Sequence, residues 1–329
     1  MKKVLAGLTL FSFLVVAGCN SPSIDNSQLL NQNNVQSLST KSDWYATLSP
    51  ELQDYYASAK GLTGLDLFEA LHDIVSRGTK ISSYGDSKSF MYATADNLKV
   101  NGKTGVYDAY SDVFVLGSGG NGNSYKENGD ANKDGSGNDF INCEHTWPQS
   151  FFNKALPMVA DLHHLQSTLS VPNNRRGHHP FGMATGKVTY STSAGSKLSV
   201  SNNAAKSKTV AQINAFINLP EEESTKAMAQ QFGPVFEPWD KQKGNTARAL
   251  EYFMLRYYDQ NIRGGEYDKK EFWDSKVSTF INWAEKVDPV NEEDIKRNNI
   301  VFEKQGNRNP FVDIPNLGSI IGETALRSK

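Results

Sequence analysis

Residues 142–152 read NCEHTWPQSFF, which sets Glu144 directly beside His145 and closes the run with a Trp-Pro. The chain holds six histidines, and four of the others, His163, His164, His178 and His179, follow before residue 180. Read locally, Asn142 to Gly182 predicts strand, loop, strand and the start of a helix. DFINCEH ends a strand at His145, and TWPQSFFNKALPMVA is a loop with aromatic anchors. DLHHLQSTLS returns as a second strand, and VPNNRRGHH opens a short helix after Pro172. A hairpin followed by a helix can hold one metal between strand and helix. Glu144 would offer a carboxylate oxygen and Asn173 an amide oxygen. Hard oxygen donors with room for water suit Mg2+, with Mn2+ or Ca2+ as substitutes. His145, left free of the metal, suits a general base, because a neutral imidazole takes up a proton near neutral pH.

The remaining candidates carry weaker signals. On a strand His163 and His164 would point opposite ways, so at most one faces the site, to orient a neighbour or touch phosphate. His178 and His179 read as loop residues before Pro180, Asp161 as a structural acceptor at the strand start, and His72 as a surface or boundary position. Cys143 reads as a small buried hydrophobe, and strand alternation is expected to keep it from acting as a nucleophile with His145. A zinc hydrolase is disfavoured, since HExxH is absent and Cys143 has no partner cysteine nearby.

The ends of the chain set the compartment. Lys2 and Lys3 precede an apolar run from Val4 to Gly18, too short for a comfortable bilayer span, and VAGC resembles a lipobox. Residues 1–18 are therefore expected to be a lipoprotein signal peptide, with Cys19 lipidated and anchored to a membrane. Residues 19–42, rich in Ser, Asn and Gln, read as a flexible tether. A single mixed α+β domain, rich in helix, is expected over residues 43–317, with 318–329 as a C-terminal tail. Ser49 and Pro50 signal a helix start, and Leu67, Leu71, Ile74 and Val75 mark an amphipathic helix ending at Gly78. GVYDAYSDVFVL, residues 105–116, is β-rich. Asn245 is expected to cap a helix bearing Ala247, Leu250, Met254 and Tyr257. Another helix carries Trp273, Val277 and Phe280. In the polar run before Asn142, Asp130, Asn132 and Asp134 mimic the opening of a calcium loop, but Ile141 stands where its glutamate would be.

Several of these stretches together resemble the extracellular bacterial endonuclease I family, which carries the ββα-metal (His-Me finger) motif. The likeness rests on CEHTWPQSFF … DLHHLQSTLSVPNNRRGHHPFG, on VFEPWDKQKGNTARALEYFMLRYY (Val235–Tyr258), on QGNRNPFVDIP (Gln305–Pro315) and on YYASAKGLTG near the start. It spans roughly Trp44 to Leu317. The resemblance implies an α+β fold with a His-Me finger core, in which Glu144 binds the divalent metal, His145 activates water, and Asn173, three residues before Arg176, completes the protein ligands. VPNNRRG departs from the usual pattern of valine directly before the asparagine, which leaves Asn174 as the alternative ligand. Arg176 either stabilises phosphate charge or holds the helix in place. The implied reaction is hydrolysis of phosphodiesters with one metal, giving 5′-phosphate products.

Net charge is −2, so no global field marks a nucleic-acid binder. The distribution is uneven, however. Leu162 to Pro220 contains no Asp or Glu but holds Arg175, Arg176, Lys187, Lys197, Lys206 and Lys208. A positive face here would bind a polyanion, with Arg175, His163 and Lys187 as candidate contacts. Nothing suggests reading of base sequence, so a nonspecific endonuclease acting on DNA, RNA or both is expected, as a monomer. The competing expectation is a noncatalytic surface lipoprotein that binds nucleic acid.

Overall fold

The computed structural model describes residues 43–81, 83–117, 140–203, 206–219 and 221–329. The signal segment, Cys19, the tether and the calcium-like Asp130, Asn132 and Asp134 lie outside the described residues. Ser49 caps helix α1 (Pro50–Tyr55) through its hydroxyl, with Pro50 at the first turn. Helix α2 (Gly64–Ser76) buries Leu67, Phe68, Leu71, Ile74 and Val75, the face its spacing predicts. His72 on that helix is a boundary residue, with Nδ1 2.9 Å from the Leu255 carbonyl. Helix α3 (Tyr84–Phe90) continues through a π-helical turn over Met91–Ala95.

The strands form small antiparallel sheets. Strands β1 (Leu98–Val100), β2 (Lys103–Tyr107) and β3 (Phe114–Leu116) make one, so the β-rich 105–116 stretch is most of a hairpin. Strands β4 (Ile141–His145) and β5 (Leu165–Leu169) pair with Glu144 opposite Gln166 and His145 opposite Leu165. β5 runs straight into helix α4 (Ser170–Arg176), the strand–strand–helix order expected from sequence. Strands β6 (Lys187–Ser191), β7 (Lys197–Val200) and β8 (Val235–Glu237) make the third sheet, and helix α5 (Glu221–Phe232) lies between β7 and β8 in sequence. The architecture is mixed α+β and rich in helix.

Helix α6 (Asp240–Tyr257) is the central post, with Ala247, Leu250, Phe253 and Met254 among its buried residues. It starts five residues before Asn245, which therefore does not cap it. Asn245 instead accepts from Arg248 Nη2 at 2.8 Å. Helix α7 (Val277–Asn282) sits between π-helical turns and buries Val277 and Phe280. Asn291 caps helix α8 (Glu292–Gln305) through a reciprocal capping box. The expected tail is not one. Residues 317–328 form helices α9 (Leu317–Ile321) and α10 (Glu323–Ser328), which bury Leu317, Ile321 and Leu326 in the main core. Trp273 Nε1 donates to the Leu326 carbonyl at 2.9 Å, which locks this end in place. No described helix is long and apolar enough to cross a membrane.

Candidate active site

A cavity of about 490 Å³ opens between the end of β4 and helix α4, lined by Glu144, His145, Asn173 and Arg175 among others. Strand pairing fixes the end of β4, and α4 follows β5 without a loop, so strand and helix face each other at short range. Arg176 joins them. Its Nη1 donates to the His145 carbonyl at 3.1 Å and its Nη2 to the Thr146 carbonyl at 2.6 Å. The same Nη1 lies 3.0 Å from Glu144 Oε1, and the guanidinium stacks 4.3 Å over Phe181. At 1% exposed, Arg176 commits both terminal nitrogens to the carbonyls of His145 and Thr146, which ties α4 to the end of β4, while its Nε has no hydrogen-bond partner among the described residues.

Glu144 is buried, and its Oε1 has no hydrogen-bond partner among the described residues despite the ion pair with Arg176. The 3.0 Å contact lacks the N–H alignment of a hydrogen bond, so the charge is compensated while the lone pairs stay available. Burial pushes the carboxyl up, and the Arg176 guanidinium pulls it back down. Asn173 is half-buried and lies three residues from Arg176, hence on the same side of α4. No hydrogen bond to another described residue occupies its side-chain amide. Asn174 is exposed. A buried carboxylate oxygen without a hydrogen bond and an unclaimed amide at one cavity fit a hard divalent ion. Among the described residues no group of three His, Cys, Asp or Glu side chains could hold a metal, so the donor set here is one carboxylate and one amide.

His145 is held on both sides. Its Nε2 lies 3.0 Å from the Val159 carbonyl, which only accepts, so that nitrogen carries the hydrogen and Nδ1 keeps the lone pair. The Tyr84 ring packs 5.3 Å away and the His164 ring 5.4 Å away. Burial first, then the neighbouring His164, pushes the His145 pKa down to about 3, which keeps the free ring neutral and makes it a weaker base than an exposed imidazole.

Other candidates land elsewhere. β5 begins at Leu165, so His163 and His164 sit in the turn before it and do not alternate across a strand. His163 Nε2 lies 2.9 Å from the Asn307 carbonyl, and the residue lines a separate cavity of about 420 Å³ with Gln166, Trp239 and Arg297. It does not line the Glu144 cavity, so direct phosphate contact there is not its place. Lys187 is also outside that cavity and donates to the Lys208 carbonyl at 2.7 Å, while Lys197 pairs with Glu237 at 3.4 Å. Folding thus disperses the basic run, and Arg175 and Arg176 are its members at the cavity. Arg175 stacks 5.5 Å over Tyr190 and keeps a buried Nη1 without a hydrogen-bond partner among the described residues.

His178 and His179, expected as plain loop residues, both line the cavity. Gly177 explains this. Its φ of 52° ends α4 and turns the chain back, a conformation that a side chain would strain. His179 Nδ1 meets the Tyr267 hydroxyl at 2.9 Å, and His178 Nδ1 lies 3.3 Å from Ser150 Oγ. Cys143 also needs a correction. It lies two residues from His145 on the same strand, so the two share a face, and alternation does not separate them. Its thiol is inert for another reason, since burial pushes it up to about 12.

The family model described as Endonuclease I matches residues 63–232 and 218–316. The chain belongs to the endonuclease I family. An extracellular ribonuclease of Bacillus amyloliquefaciens is 28% identical over 283 residues, covering 82% of this chain and 78% of that protein. An extracellular ribonuclease of Bacillus subtilis (strain 168) is 26% identical over 270 residues, covering 79% and 75%. This endonuclease I family member is thus a nucleic-acid hydrolase, and its matched span contains the whole cavity wall from Glu144 to His179.

Proposed function

We propose that the protein is a nonspecific endonuclease of the ββα-metal type, secreted or lipid-anchored outside the cytoplasm through Cys19. It hydrolyses phosphodiester bonds with one divalent metal, Mg2+ or its substitutes Mn2+ and Ca2+, to give 5′-phosphate products. The observation that carries this reading is the convergence of Glu144, His145 and Asn173 on one cavity. Both relatives are extracellular ribonucleases, which favours RNA as a substrate, and extracellular action, for this chain.

Glu144 and Asn173 would hold the metal, which when bound supplies a positive charge to stabilise the phosphorane-like transition state and the departing 3′ oxygen. His145 does the proton work. Val159 fixes Nε2–H, so Nδ1 receives the proton of the attacking water. The phosphate's negative charge beside the ring favours the imidazolium as it forms, against the burial that holds the free ring neutral. Arg176 acts as a positioning residue that keeps α4, and with it Asn173, against β4. Arg175 supplies a contact to a neighbouring phosphate.

The test uses the soluble body without residues 1–19, supercoiled plasmid and structureless RNA, with Mg2+ or EDTA, beside His145→Ala. Cleavage that needs Mg2+ and disappears in the variant is the expected result, and the two rates separate DNA from RNA. A folded wild type that cleaves neither with Mg2+, Mn2+ or Ca2+ overturns the reading in favour of a noncatalytic binding protein.

A further inference from the structure

We propose that Asp161 is the positioning residue of His145, acting through the single turn Met158–Ala160. The inference rests on the reading of His145 as the proton acceptor. The turn presents two successive carbonyls to two imidazoles. Met158 O faces His164 Nε2 at 2.7 Å, and Val159 O faces His145 Nε2 at 3.0 Å.

Asp161 follows this turn directly, and its carboxylate is fully buried. Oδ2 accepts from the Tyr252 and Tyr257 hydroxyls, each at 2.8 Å, and from the Arg256 guanidinium. Oδ1 accepts from Gln305 Nε2 at 2.7 Å and from the His163 N–H at 3.1 Å. Three of these anchors stand on α6 and one ends α8, and none lines the cavity of Glu144 and His145. They cannot serve the reaction by touching substrate.

They can serve it through the turn. Met158–Ala160 pairs with no strand, and its backbone bonds are local, such as Ala160 N–H to Pro157 O at 3.1 Å. The side chains of Met158, Val159 and Ala160 pack into the main core, and the anchors of Asp161 hold the turn at its C-terminal end, so both set where the Val159 carbonyl points. That carbonyl decides which nitrogen of His145 carries the hydrogen. If the turn drifts, the Nδ1–H form becomes accessible, and the lone pair no longer faces the water. A displacement of about 1 Å in such a support can cost on the order of 10²-fold in rate.

The experiment compares full-chain wild type, Asp161→Asn, Tyr257→Phe and His145→Ala, each shown to be folded by near-UV circular dichroism at the assay temperature. The readouts are kcat and KM on a fluorogenic oligonucleotide, Mn2+ affinity by electron paramagnetic resonance, and 15N spectra of histidine-labelled protein. The His145 signals are assigned by their loss in His145→Ala. In Asp161→Asn, kcat is expected to fall at least about tenfold while KM and Mn2+ affinity stay within about twofold. Its spectrum gains the Nδ1–H form, where wild type shows Nε2–H alone. Tyr257→Phe shifts both in the same direction by less.

A folded Asp161→Asn with wild-type kcat and tautomer overturns the proposal. So does a joint decline of kcat, KM and metal affinity, which marks general loosening. Should Asp161→Asn not fold, Tyr257→Phe decides on the same readouts, and unchanged values overturn the proposal. If His145→Ala keeps the wild-type rate, the base assignment itself fails. The tautomer then still reports whether Asp161 orients the ring.

Discussion

Glu144 Oε1 and Arg176 Nη1 lie 3.0 Å apart with both side chains 2% exposed, yet no hydrogen bond joins them. A carboxylate held this way is neutralised in charge but not saturated in donors, which is the state a metal ligand needs before the ion arrives. Removing the arginine leaves a buried, unpaired charge. Arg176→Met is expected to destabilise the fold by about 3–5 kcal/mol in urea titrations. It is also expected to lose activity even where folded, because α4 is no longer tied to the carbonyls of His145 and Thr146. A folded Arg176→Met with wild-type kcat would show that α4 needs no such clamp.

Glu144→Ala is expected to abolish cleavage by losing metal, and raised Mg2+ restores little. His145→Ala keeps Mn2+ and substrate binding but loses at least about 10²-fold in kcat. The asparagines separate by position. Asn173→Ala behaves like Glu144→Ala, whereas Asn174→Ala, on an exposed position, leaves Mn2+ affinity unchanged. Isothermal titration with Mn2+ checks all four, and strong metal binding by Glu144→Ala would contradict the assignment.

Arg175 offers a donor at the cavity without a hydrogen-bond partner among the described residues. Arg175→Met is expected to raise KM, leave kcat within a few-fold, and lower the salt slope of oligonucleotide binding by about 1. The binding series is run in EDTA, so that no cleavage intervenes. An unchanged slope would remove Arg175 from the substrate contacts.

Stability carries its own pH signature through Glu251 on α6. Both of its carboxylate oxygens are buried without a hydrogen-bond partner among the described residues. Burial first, then the nearby Glu285, pushes it up to about 8, with Arg248 pulling down. The folded value lies above the ordinary 4.5, so the native state binds the extra proton. Its contribution is present below the ordinary value and is lost as pH rises toward about 8. Glu251→Gln mimics the protonated form and should gain on wild type by at most roughly 1.4 kcal/mol per pH unit across that window. Urea midpoints at pH 5 and pH 8 measure the difference, and a gap that does not widen with pH would rule out this buried proton.

Local pattern made much of the site legible. The run ending in Glu144 and His145 marked a strand end, and the stretch at Pro172 marked a short helix, which begins two residues earlier at Ser170, because strand and helix signals act over a few residues. The helix face of Leu67, Leu71, Ile74 and Val75 was equally plain. What stayed hidden depends on partners far along the chain. Asp161 looked like a simple acceptor because Tyr252, Arg256, Tyr257 and Gln305 reach it only after α6 and α8 pack. The paired histidines at 163–164 suggested strand alternation, but a tight turn before β5 took them instead. The acid-free run after Leu162 suggested one positive face, and the hairpin of β6 and β7 carried Lys187 and Lys197 away from the cavity. The expected tail misled for the reverse reason: its few apolar residues, Ile321 and Leu326 among them, gain meaning only against Trp273 and the core.

The knot of side chains around Asp161 has a temporal side. Gln305 binds Asp161, and Asn307 closes the same group by donating to the Val75 carbonyl and the Tyr252 hydroxyl. A polypeptide synthesised only as far as residue 300 contains Glu144, His145 and Asn173 but lacks both of these closures. While the ribosome is still extending the chain, surrounded by the cell's own RNA, the apparatus that would orient the imidazole is unfinished. On the proposed role of Asp161, the support of His145 is complete only after residue 307 has been added.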